Sequence, residues 1–141
     1  MRTYNHEDWY EAERLHRAGS DGDIAEIERL IGLGYDVNLF DDMGNTPLHY
    51  AVESEQVEAV KMLLRHGALI NANDEATIGE TPLSLAVQGE HLGVVTLLLE
   101  SGADPDINGW MGLTARIRAC KRGDQLGRAM CEVLATYPPK S

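Results

Sequence analysis

The stretch Thr46-Pro47-Leu48-His49-Tyr50-Ala51 constrains this chain more than any other, because it returns as Thr81-Pro82-Leu83-Ser84-Leu85-Ala86. A threonine hydroxyl accepts from a free backbone N–H at a helix start, and a proline suits the next position, where no N–H is needed. Each copy therefore opens a helix. Other positions keep step at 33 residues: Gly34 with Gly67, Val37 with Ile70, Asn38 with Asn71, and Thr81 with Thr114. The interval from Thr46 to Thr81 is 35, and its two extra residues fall between Asn71 and Gly79, around Asp74-Glu75-Ala76-Thr77.

A second set of apolar residues repeats in phase with the first. Ile24, Ile27, Leu30 and Ile31 recur as Val57, Val60, Leu63 and Leu64, and again as Leu92, Val95, Leu98 and Leu99. Spacing at i, i+3, i+6 and i+7 marks one face of a helix, so each period holds two helices with a shared packing solution. Four units follow, at about 1–40, 41–73, 74–108 and 109–141. In the first, Asn5 is placed to cap a helix with Asp8 at its third position, and Trp9, Ala12 and Leu15 mark its face. The fourth keeps Trp110-Met111-Gly112-Leu113-Thr114, but Ala115-Arg116-Ile117 stands where Pro-Leu-His is expected, and Pro138-Pro139 stops the chain. An end unit of a stack keeps one face in water, so such departures fit caps at both ends.

The T-P-L-H-x-A motif at a period of 33 resembles the ankyrin repeat family over essentially the whole chain. That resemblance implies an all-α solenoid of four helix-turn-helix units joined by β-hairpin fingers, one single domain with degenerate caps. It also implies an activity of binding other proteins through finger tips and the ends of the first helices. Carried onto this sequence, the finger positions are Asp42, Met43 and Asn45, then Thr77, Ile78 and Glu80, then Trp110, Met111 and Leu113. The helix-end positions are Ser20 and Asp21, Glu53 and Ser54 with Glu55, Gln88 and Gly89 with Glu90, and Lys121 with Arg122.

Two features of this surface stand out. Trp110 is either an aromatic anchor on a finger tip or a lid folded over the core of the cap. The turn between paired helices carries Gly22 and Gly123 in the end units but Glu55 and Glu90 in the inner ones, where Gly89 is placed one position early to take over the turn. The two acids read either as charge kept for binding or as drift on a wet surface. His16 and His49 occupy the motif histidine, whose implied role is hydrogen bonding within and between repeats.

Charge is uneven. The net value is −11, with 16 Asp and Glu against 6 Lys and Arg over residues 1–75, and 2 against 6 over residues 109–141. The sign opposes general nucleic-acid binding, where neutralised phosphates supply most of the affinity, and permits a partner protein with a basic surface. There is no apolar run of membrane-spanning length and no signal-peptide pattern, so the expected home is the cytoplasm, with a monomer favoured. Cys120 and Cys131 are read as reduced packing residues. No catalytic motif, cofactor fingerprint or metal-ligand spacing is present, and the expected function is not enzymatic. The leading expectation is a protein-binding module acting as a stoichiometric inhibitor or toxin-neutralising, immunity-type protein. The alternative is a scaffold or assembly subunit docking through the Trp110/Met111 finger and the basic last unit.

Overall fold

The computed structural model describes residues 11–74 and 79–139. From Arg14 onward these residues form eight α-helices in four antiparallel pairs: α1 (Arg14–Asp21) with α2 (Ile24–Gly32), α3 (Pro47–Glu53) with α4 (Val57–Arg65), α5 (Pro82–Gln88) with α6 (Leu92–Glu100), and α7 (Ala115–Lys121) with α8 (Gln125–Ala135). The first members of the pairs stack as an inner row, α1 on α3 on α5 on α7. The second members lie behind them, with α2 packed on α4 and α6 on α8.

The repeated threonines start these helices as the sequence implies. Thr46, Thr81 and Thr114 accept from the backbone N–H of His49, Ser84 and Ile117, and a proline follows the first two. Asp23 and Asp124 do the same for α2 and α8. A cap of this kind contributes about 1 kcal/mol. The phased apolar residues form the core: Ile27, Leu30, Val60, Leu63, Val95 and Leu98 are fully buried, facing Leu48, Val52 and Leu83 of the inner row. Each such leucine contributes about 1.5–3 kcal/mol by leaving water. Gly19 allows α1 to approach α3 closely, since a Cβ there would sit 2.9 Å from the Pro47 carbonyl oxygen.

Polar residues at the same period tie each unit to the next. His49 Nδ1 accepts from the Thr46 N–H at 3.0 Å, so Nε2 carries the proton and donates to the Glu80 carbonyl at 2.6 Å. His16 Nε2 meets the Leu39 carbonyl at 2.7 Å. The Asn38 side chain accepts from Leu69 N–H and donates to the Gly67 carbonyl, and Asn71 accepts from Asp104 N–H. The expected histidine role and the recurrence of asparagine share one cause: buried or bridging polar groups that close one unit onto its neighbour.

Several expectations change. No strand occurs among the described residues, and the first and last fingers are tight turns closed by backbone bonds that include Asp41 N–H to Asn45 with Gly44 N–H to Asp41, and Gly109 N–H to Leu113 with Gly112 N–H to Gly109. Cys120 and Cys131 are not reduced but joined in a disulfide between α7 and α8, because the antiparallel pair brings their Cα atoms to 4.9 Å. Disulfides are rare in the cytosol, so this bond and a cytoplasmic home pull against each other. Gly89 does not supply the left-handed turn: its φ is −89° with ψ −159°. Glu55 does adopt that conformation, at φ 55°, where Gly22 and Gly123 sit at 69° and 79°. A side chain there costs about 1–2 kcal/mol, and its carboxylate lies 2.9 Å from His91 Nδ1 of the next turn. Asn5, Asp8 and Trp9, and Glu75, Ala76, Thr77 and Ile78 at the two-residue insertion, lie outside the described residues.

Candidate functional site

Among the described residues, depressions open along the inner helix row near each end. Between α1 and α3 lies a cavity of about 260 Å³ lined by Glu13, His16, Arg17, Ser20 and Tyr50. Between α5 and α7 lies one of about 500 Å³, lined by Val87, Gln88, Leu113, Ile117, Arg118, Lys121 and Arg122. Of the residues read from sequence, Gln88, Leu113, Lys121 and Arg122 meet in the second cavity. Asp21, Asp42, Glu53 and Glu90 are exposed on the turns and helix ends. Glu13, Tyr50, Ile117 and Arg118 are lining residues that the family positions do not include, and only the fold, by closing adjacent inner helices, shows them.

Acidic and basic groups are treated differently. Among the described residues, Asp21, Asp42, Glu53 and Glu90 form no ion pair. Three of the four arginines of the last unit, Arg116, Arg118 and Arg122, are claimed internally. Arg116 pairs with Asp106 at 2.8 Å and donates to the carbonyls of Leu134 and Tyr137, closing the end of α8 over α7. Arg118 pairs with Glu80 at 2.6 Å, and that carboxylate also accepts from Ser84 and from the Trp110 N–H. Arg122 holds Asp124 and the carbonyls of Val87 and Gly89. Lys121 is exposed and makes no such bond.

Finger tips carry three of the exposed apolar groups, while Leu33 and Leu69 are exposed after the second helices of their pairs. Met43 is 74% exposed, Met111 73% and Trp110 49%. Trp110 opens a short 3₁₀ turn, Trp110–Gly112, in which Met111 has φ 60°. Trp110 therefore presents about half its surface to solvent. Asp41 organises the first finger, accepting from Met43 and Asn45 N–H and from the Tyr50 hydroxyl. Burial and the adjacent Asp41 push Tyr50 up to about 12. Burial pushes both His16 and His49 down. Burial, followed by Asp41 and Asp42, pushes Glu13 up, with Arg17 opposing.

Among the described residues no group of three or more His, Cys, Asp or Glu is placed to hold a metal, and no helix is long and apolar enough to cross a membrane.

Residues 15–109 match the ankyrin repeats, in three copies. The chain is similar to part of human transient receptor potential cation channel subfamily A member 1, 46% identical over 38% of this chain and 5% of that protein. It is similar to part of the 2-5A-dependent ribonuclease of Mus musculus, 42% identical over 38% of this chain and 8% of that protein. A fowlpox virus protein named for its ankyrin repeats is 43% identical over 38% of this chain and 12% of its own length. The chain thus spans only a small part of the curated relatives it matches. Ankyrin repeats generally mediate protein–protein interaction and are not themselves catalytic. With the matched segment exceeding half of the sequence and the helix pairs recurring in its register, the chain belongs to the ankyrin repeat family.

Proposed function

We propose that this chain binds a partner protein that offers a basic surface, through the inner helix ends and finger turns, and acts by covering that surface, as a stoichiometric inhibitor or toxin-neutralising protein does. The observation that carries this reading is the set of exposed acids, Asp21, Asp42, Glu53 and Glu90, that no internal cation neutralises. Exposed charges of this kind attract a complementary surface and accelerate encounter more than they add affinity. They are screened within about 8 Å at physiological ionic strength.

Affinity capture from a native lysate at low and high salt tests this, with the wild-type chain beside Asp42→Lys/Glu53→Lys and Trp110→Ala. A basic protein held at low salt, released at high salt and lost with the charge-reversed variant is the expected result. Capture that ignores salt and charge reversal overturns the reading.

A second reading is favoured by the exposed Trp110 and Met111, since aromatic side chains anchor many interfaces. In it the chain is a scaffold or assembly subunit that docks through this turn and Lys121. Capture that fails with Trp110→Ala alone selects it.

A further inference from the structure

The cavity between α1 and α3 holds an acceptor that the repeat architecture satisfies elsewhere. His16, at its floor, is 3% exposed. Its Nε2 faces the Leu39 carbonyl, which only accepts, so in the neutral ring Nε2 donates and Nδ1 is an acceptor. No donor reaches Nδ1. In the next unit the equivalent nitrogen of His49 takes the Thr46 N–H and also meets the Thr46 hydroxyl at 2.8 Å. Glu13, 33 residues before Thr46, replaces the threonine there and lines the same cavity as His16.

The other walls point the same way. Among the described residues the Glu13 carboxylate has no ion pair and no hydrogen bond, and the nearby Asp41 and Asp42 act on it more strongly than Arg17 does. Tyr50 spends its proton on Asp41, which leaves the phenolic oxygen as an acceptor. Glu13, His16 and Tyr50 thus present acceptors, and among the described residues of the lining Arg17 is the cation. The volume of about 260 Å³ falls below the roughly 300–1,000 Å³ of small-molecule clefts, and suits a single side chain.

We propose that this cavity receives the cationic side chain of a partner's arginine or lysine, with Glu13 as its counter-ion and His16 Nδ1 as a hydrogen-bond acceptor. The inference rests on the reading that the inner face takes a basic partner, and it names the anchoring point.

The test is a titration of the 15N-labelled full chain with the blocked tripeptides Gly-Arg-Gly and Gly-Lys-Gly, using Gly-citrulline-Gly as the neutral control. The His16 imidazole Nδ1 resonance moves saturably with a cationic peptide and stays still with citrulline. The stronger of the two cationic responses tells guanidinium from ammonium. Glu13→Gln, at a half-buried site that makes no hydrogen bond, weakens binding about fivefold or more. A static His16 resonance, an equal response to citrulline, or unchanged binding by Glu13→Gln overturns the proposal. Shifts confined to Asp21, Glu53 and Glu90 remove this site and leave the basic-partner reading standing. Salt-independent capture in the earlier experiment removes that reading without touching the tripeptide result.

Discussion

The first and last units of the inner face carry opposite charge and use it in opposite ways. At the first, Glu13 and Asp21, with Asp42 at the start of the second, form no ion pair among the described residues. At the last, Arg116, Arg118 and Arg122 each grip a carboxylate and, apart from their ion pairs, backbone carbonyls of the same or the preceding unit. Half of the six bases over residues 109–141 are therefore mortar. A charge counted in a sequence differs from a charge available to a partner, and the basic end keeps fewer of its charges for that use than the acidic end does.

This contrast can be broken by measurement. Replacing Cys120 and Cys131 by alanine, or reducing their bond, should lower stability by about 3 kcal/mol for a loop of this length. The loss should show as faster hydrogen exchange in α7 and α8 while α1 to α4 keep their protection. Arg116→Ala should cost about 2–3 kcal/mol in chemical denaturation, because Asp106 and the last carbonyls of α8 lose their donor. An effect near zero would mean that the basic end is not held by its arginines.

Acid should act on the other end. Burial holds the folded-state pKa of His16 and His49 below the unfolded value of 6.5, so the unfolded chain binds more protons in that window. The stability they contribute is present above pH 6.5 and falls as pH drops towards the folded values. Melting temperatures at pH 7.5, 6.5 and 5.5 should decline in that order, and a flat profile would remove the buried neutral histidines from the picture. The smallest effect is expected for Glu13→Gln, which should change stability by less than about 0.5 kcal/mol and in the favourable direction, since it relieves repulsion from Asp41 and Asp42.

Much of the fold was legible because a 33-residue period repeats both the cap and the core face. Thr46, Thr81 and Thr114 all cap, and Leu30, Leu63 and Leu98 all bury, as their spacing requires. Features specific to single units were harder to read. The disulfide depends on which faces of α7 and α8 oppose each other, and two cysteines eleven residues apart do not declare that. The pairing of Arg118 with Glu80 spans 38 residues and follows only from docking one unit on the next. Glu55 was visible as a missing glycine, yet its left-handed backbone together with its reach to His91 required coordinates. The α1/α3 cavity was hidden for a further reason: its signal is the absence of a threonine at Glu13, which reads as ordinary end-unit degeneracy until the histidine beside it is found unmatched.

The bonds from Asn38 to Leu69, His49 to Glu80 and Asn71 to Asp104 all run from one unit to its immediate neighbour. A chain fastened only link to link behaves under tension as a ladder of small springs and not as a single bolt. Pulled from its two ends, this molecule should yield in successive small steps of roughly one helix pair each, so that a bound partner could stay gripped by the remaining pairs while the outermost one gives way.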